Sequence, residues 1–344
     1  MPRPMNVHAR RDLPQARCSL HLRLSALPPN IAAHDDGRRE RVVMDRLTRS
    51  NFGALPLLPT DGAWGTELMK LGGASTELKD LWNVSEPDKV LQVARSYVEA
   101  GARIILTNTF SSNAVTLERH GAAGRSAELS RAGAAISRQA AGERAWVFGS
   151  IGPTGKLVSL KQIAVAEAEA AFAEQAAALA AGGADAIVIE TMADIAEAQA
   201  ALRACLAACD LPVGVSFSFD AGKEKNRTMM GVTPAQAWKA AHEGGASFVG
   251  ANCGIGIDAY VKIARELAAC GSALPLWIKG NAGRPEMEAD GSVHYRAGPD
   301  VFAQAVPELA AAGVRFIGGC CGSTPEHVRA IVAAIEQLGS AAAG

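Results

Sequence analysis

From residue 54 onward one pattern repeats along the chain: a short apolar run, a glycine-bearing loop, then an alanine-rich segment of helical propensity. The apolar runs are Ala54–Thr60, Arg103–Asn108, Trp146–Ile151, Ala186–Glu190, Pro212–Phe217, Ser247–Asn252, Leu276–Lys279 and Val314–Gly318. Segments such as Val165–Ala181, Ile195–Ala208 and Ile257–Ala269 read as the intervening helices, and Thr233-Pro234-Ala235-Gln236 reads as a capped helix start. The runs lack clean polar alternation, which is the mark of parallel strands covered on both faces. Eight such units predict a single (β/α)8 barrel over residues 51–340. A doubly wound open sheet is the competitor. It would gather its site near one switch point, whereas here unusual polar residues follow many different strands.

Composition narrows the class. Of 344 residues 49% are hydrophobic, yet charges, Gly or Pro interrupt every apolar run well short of the roughly 20 residues of a membrane span. A net charge of −1 gives no electrostatic case for nucleic acid or an anionic membrane. Seven cysteines, an odd number without disulfide spacing, point to a reducing cytoplasm and to metal or catalytic chemistry. The first fifty residues stand apart, with ten Arg, no Lys and five acids. This stretch, residues 1–50, is expected to be a disordered arm, or a translation start placed too early with Met44 as the true start.

The loops after the strands carry the chemistry. Asp61-Gly62 is an ordinary turn dipeptide, but at the end of a strand Asp61 is placed to bind a cationic amine. The N–H groups of Gly62 and Ala63, leading into a helix, suit a carboxylate. Thr107-Asn108-Thr109 crowds hydroxyls and an amide at a strand end, so Asn108 reads either as a pocket floor or as part of a satisfied turn. Gly152-Pro153-Thr154-Gly155 is not a phosphate loop, because it lacks the GxGxxG or GK[ST] pattern and Pro153 removes a donor. Glu190 ends an apolar strand, where a carboxylate is costly unless it has a task or a partner. With Asp61 it would offer two carboxylates to the ammonium of an amino acid.

The cysteines complete the pattern. Cys320 and Cys321 lie in Gly318-Gly319-Cys320-Cys321-Gly322, between an apolar run and Ser323-Thr324-Pro325-Glu326, where Ser323 and Glu326 have capping-box spacing. Cys253, in Gly250-Ala251-Asn252-Cys253-Gly254, repeats the setting. Thiols near a helix N-terminus are readily held as thiolates. Three of them plus an open position describe a catalytic Zn2+ site, and soft sulfur disfavours magnesium or calcium. Cys18, Cys205, Cys209 and Cys270, in the arm or on helices, read as inert small hydrophobes. A zinc already bound by three thiolates is best used to strip a fourth thiol of its proton and keep it nucleophilic. A thiol amino acid alkylated on sulfur is the substrate these residues imply.

The motifs DGAWGTEL at Asp61, TNTF at Thr107, GPTG at Gly152, IET at Ile189, ANCG at Ala251 and GGCCGSTPEH at Gly318 occur in that order. The sequence in which they stand resembles the homocysteine S-methyltransferase family, the zinc barrel shared by cobalamin-dependent methionine synthases and betaine–homocysteine methyltransferases. The likeness covers Leu57 to about Ile331. It implies a (β/α)8 barrel that forms methionine, with Cys253, Cys320 and Cys321 as catalytic zinc ligands. It places Asp61 and Glu190 at the homocysteine amino group, with the Gly62 region near its carboxylate. Betaine enzymes hold their quaternary ammonium with tyrosines where this chain has Ser111 and Thr191, and Trp82 remains as one aromatic wall. The donor implied is methylcobalamin or methyltetrahydrofolate through a corrinoid partner protein, or S-methylmethionine or S-adenosylmethionine. The alternatives are betaine as donor, a different thiol or selenol such as selenocysteine as acceptor, or a non-catalytic zinc module that docks a corrinoid protein.

Overall fold

The computed structural model describes residues 46–74, 76–287 and 293–343. The expected arm therefore lies, up to residue 45, outside the described residues. Eight parallel strands make one sheet: β1 (Leu58–Pro59), β2 (Ile104–Leu106), β3 (Trp146–Ile151), β4 (Ala186–Met192), β5 (Val213–Phe217), β6 (Phe248–Gly256), β7 (Leu276–Asn281) and, last in the chain, Val314–Gly319. Between β7 and the last strand lies an antiparallel pair, β8 (Glu286–Met287) and β9 (Val293–His294), so the last barrel strand is β10. The sheet runs β1-β10-β7-β6-β5-β4-β3-β2. A parallel bridge from Thr60 to Ile104, with the Arg103 N–H donating to Pro59 O at 2.9 Å, joins its two ends. The sheet closes on itself, and the expected barrel is present.

Strand residues alternate between two apolar environments. Ile105, Val147, Ile187, Ile189, Val249 and Ile278 pack outward under the helices, while Leu106, Phe148, Val188, Phe248, Trp277 and Phe316 face one another inside. Both faces are apolar, so no polar alternation shows in the sequence. Inside, Phe52 stacks on Phe248 with ring centroids 5.1 Å apart, and Phe148 on Trp277 at 5.8 Å. Gly214 on β5 leaves the space that Phe248 fills: a Cβ there would lie 2.2 Å from the ring.

Several boundaries differ from expectation. Ala54 belongs to a 3-10 turn, Phe52–Ala54, and β1 is only two residues long, because Phe52 leaves the strand line to plug the barrel floor. The hairpin β8–β9 has exposed strands and no apolar signal to announce it. The capping box at Thr233–Gln236 forms as expected. The one at Ser323–Glu326 does not. Pro325 begins the last helix, Thr324 precedes it, and His327 Nδ1 accepts the Thr324 N–H at 3.1 Å. Histidine takes the reciprocal part expected of Glu326, whose carboxylate meets Thr324 Oγ1 instead. Among the described residues no helix is long and apolar enough to cross a membrane.

Candidate metal and substrate site

Two β-bulges aim the site. The β4–β5 register shifts between Ile189 and Met192, and the β6–β7 register between Asn252 and Gly256. Within these shifts lie Thr191 and Cys253, both at φ 64°, a left-handed conformation that non-glycine residues rarely adopt. Asn252 holds the first of them. Its Oδ1 accepts the Thr191 N–H at 2.9 Å and its Nδ2 donates to Thr191 Oγ1 at 2.7 Å. Ser216 Oγ also donates to Asn252 Oδ1, at 2.6 Å. Strain at these positions persists only where the surroundings hold it, as this amide does.

Cys253 on β6 and Cys320 and Cys321 just past β10 converge across the end of β7, the strand between them. Backbone bonds fix the approach: Cys320 N–H donates to Gly280 O at 2.7 Å, and Ala282 N–H to Cys321 O at 2.9 Å. The three sulfurs lie within 4.8 Å of one another, and Cys253 and Cys321 Sγ are 3.9 Å apart. Tetrahedral zinc with Zn–S bonds of about 2.3 Å sets its sulfurs about 3.8 Å apart, so this donor set fits the ion. All three are free thiols. They resist ionisation: against the lowering pull of the Cys320 hydrogen bond, the hydrogen bond with Cys321 and burial leave Cys253 pushed up to about 12. Two tyrosines support the cluster. Tyr260 donates to Cys253 O at 2.7 Å, and the Tyr295 ring packs against Gly322, next to Cys321. The buried Asn281, between Gly280 and Ala282, leaves its Oδ1 without a partner among the described residues.

The expected substrate residues divide. Glu190 is buried in the upper barrel, accepting from Ser150 Oγ and, at 3.5 Å, from Asn252 Nδ2. Burial pushes its carboxyl up, against the pull of Ser150 and of the Lys279 ammonium. Asp61 is fully buried and fully engaged. Its Oδ1 pairs with Lys279 Nζ, and its Oδ2 accepts from Trp64 Nε1 and the Leu106 N–H, both at 2.7 Å. Gly62 is required by packing, since a Cβ would lie 2.8 Å from the Tyr97 ring and 2.9 Å from Ser323 Oγ. The Gly62 N–H has no acceptor among the described residues, whereas the Ala63 N–H is 3.4 Å from Ser323 O. Asn108 spends both amide hydrogens on Lys79 O and Asn83 Oδ1, at 2.8 and 3.0 Å, tying the loop after β2 to residues 79–83.

Other readings change with the structure. Trp82 is no aromatic wall: it is buried among Leu68, Val90 and Val93, with its indole N–H on Glu77 at 2.6 Å. The GPTG loop is braced by the chain itself, its Thr154 N–H and Oγ1 both donating to the buried Glu197. Lys279, Asn252 and Tyr295 carry parts that motif reading did not assign to them. Lys279 had a signal: it ends an apolar strand just as Glu190 does, and a buried charge implies a partner.

A family profile described as homocysteine S-methyltransferase matches residues 58–335. The methionine synthase of Mycobacterium tuberculosis is 31% identical over 294 residues, covering 81% of this chain and 24% of that protein. That of Mycobacterium leprae is 30% identical over 295 residues, with 80% and 24% covered. The chain thus spans about a quarter of the length of these relatives. The metallated homocysteine methyltransferase MmuM of Escherichia coli superposes with a TM-score of 0.68 at 23% identity, over 83% of this chain and 98% of that one, which is a likeness of fold. The profile covers most of the chain, and with the barrel and its three-cysteine cluster it leads to one conclusion: the chain belongs to the homocysteine S-methyltransferase family.

Proposed function

We propose that this chain transfers a methyl group to the thiol of homocysteine, forming methionine, at a zinc ion held by Cys253, Cys320 and Cys321. The observation that carries the reading is the cluster of three free thiols within 4.8 Å, set at strand ends beside a buried carboxylate, Glu190. Zinc bound there would keep the incoming thiol as a nucleophilic thiolate at neutral pH. Glu190 accepts the substrate's ammonium, and the Gly62 N–H takes its carboxylate. Asn252 holds the bulge at Thr191 and so keeps Glu190 in line, while the Tyr295 ring packs on Gly322 beside the Cys320–Cys321 turn. The bulged backbone at Cys253 turns its sulfur toward the pair from β10. The donor we favour is methylcobalamin on a corrinoid partner protein, on the sequence likeness to methionine synthases; S-methylmethionine is the second reading. Six described cysteines without a disulfide suit the cytoplasm.

The test is zinc content and methionine formation by purified protein, wild type beside Cys320→Ala, with S-methylmethionine, betaine and methylcobalamin in parallel. About one zinc per chain, lost in the variant, with methionine from one donor, is expected. A zinc-replete protein that turns over none of the three calls for the corrinoid protein. Wild type that takes up no zinc would sink the proposal.

A further inference from the structure

The upper barrel buries three charged groups, and they are not equally provided for. Asp61 is 0% exposed, Lys279 2% or less and Glu190 6%. Asp61 receives Lys279, the Trp64 indole N–H and the Leu106 N–H on its carboxylate, so every donor it needs comes from the protein. Glu190 has the Ser150 hydroxyl and one long contact from Asn252. One cation and two carboxylates leave a single unbalanced negative charge in this layer, which matches one substrate ammonium. Asp61 also works through its backbone. Its carbonyl accepts from both Lys279 Nζ and the Gly319 N–H, each at 3.0 Å, and Gly319 leads directly into Cys320. Gly280, next to Lys279, accepts the Cys320 N–H. The ammonium also lies 5.6 Å from the centre of the Trp277 ring, which separates it from the aromatic floor.

We infer that Lys279 is a positioning residue that withdraws Asp61 from the substrate, braces the cysteine turn through it, and leaves Glu190 as the acceptor of the substrate's ammonium. This rests on the reading of homocysteine as the substrate. It departs from the expectation that Asp61 and Glu190 share the amine. Lys279 and Asp61 act together, so removing one alone strands a buried charge, whereas removing both does not.

The experiment is calorimetric titration of the zinc-loaded full chain with homocysteine and with 4-mercaptobutanoate, the same thiol acid without its amine. Wild type, Glu190→Gln, Lys279→Met and the double variant Asp61→Asn/Lys279→Met are compared, with Tm measured for each. Wild type should favour homocysteine by on the order of 10–100-fold, the range of a charge-assisted hydrogen bond. Glu190→Gln should bring that ratio close to one. The double variant should keep the ratio while weakening both ligands in parallel, a split that a role confined to folding would not produce. It should also melt above Lys279→Met. A double variant that loses the ratio while Glu190→Gln keeps it makes Asp61 the amine acceptor and overturns the inference. If zinc-loaded wild type binds neither thiol, the homocysteine reading fails separately. The Tm comparison then still decides the pairing: a double variant no more stable than Lys279→Met overturns it.

Discussion

The two ends of the barrel interior are built by the same strands and follow opposite rules. On β6, Phe248 and Asn252 are four residues apart, and each is fully buried. Phe248 meets the rings of Phe52, Phe148, Trp277 and Phe316. Asn252 meets Thr191, Ser216 and Glu190. The lower end is held by area and shape, which are non-directional and forgiving of detail. The upper end is held by hydrogen bonds among groups that are costly to bury unpaired, and there the backbone is bulged and left-handed. Apolar area concentrates in one half and buried polar groups in the other. The division is the usual one for such barrels, whose sites lie at the C-terminal ends of the strands.

Breaking the two halves should give different signatures. The largest effect is expected from Cys320→Ala, which leaves two sulfurs and should abolish zinc retention and turnover together, while the apo protein melts near wild type; metal analysis beside calorimetry reads both. Next comes Phe248→Ala, expected to cost about 3–5 kcal/mol by chemical denaturation, with one zinc per chain kept in whatever fraction is folded. Loss of zinc from the folded fraction would show that the halves are coupled.

The polar face also carries a pH signature outside the metal site. Asp80 accepts the Ser111 N–H and the Ser112 hydroxyl, each at 2.8 Å, and burial raises its carboxyl from 3.8 to about 6. Below about pH 4 folded and unfolded chains both hold this proton. Between there and about 6 the unfolded chain ionises first, so stability falls as pH rises. Above 6 the folded chain carries the carboxylate at a fixed cost, at most about 3 kcal/mol. Asp80→Asn should therefore raise Tm at pH 8, with the advantage closing by pH 4; an advantage independent of pH would contradict this. The smallest effect is expected from Asn252→Ala, about 1–2 kcal/mol for the bonds it strands. Its affinity for homocysteine should fall further than that loss of stability suggests, because the Thr191 bulge beside Glu190 is released.

Much of this was legible beforehand, for identifiable reasons. The strand positions and the closed barrel follow from local patterns, since apolar runs, glycine stops and helix caps act over a few residues. Cys253, Cys320, Cys321 and Glu190 were legible because each is an unusual residue type at a strand end. Asp61 was visible for the same reason, but its partner was not named. Lys279 is 218 residues away, and no local rule pairs them. The settings of Asn108 and Trp82 were hidden on similar grounds: their neighbours, Asn83 and Lys79 for one and Leu68 and Val93 for the other, come from folding of the loops.

By itself, then, the sequence determined the alternation of elements, the barrel class, the three cysteines that cluster and the family. Each of these depends on residue type and short spacing. Only the tertiary structure decided that the thiols meet over β7, that Thr191 and Cys253 sit in left-handed bulges, and that Asp61 is claimed by Lys279 while Glu190 keeps only Ser150 and a long contact from Asn252. Those outcomes depend on which strands become neighbours. A buried charge takes whatever partner closure of the barrel brings within a few ångströms, however far apart the two lie in the chain.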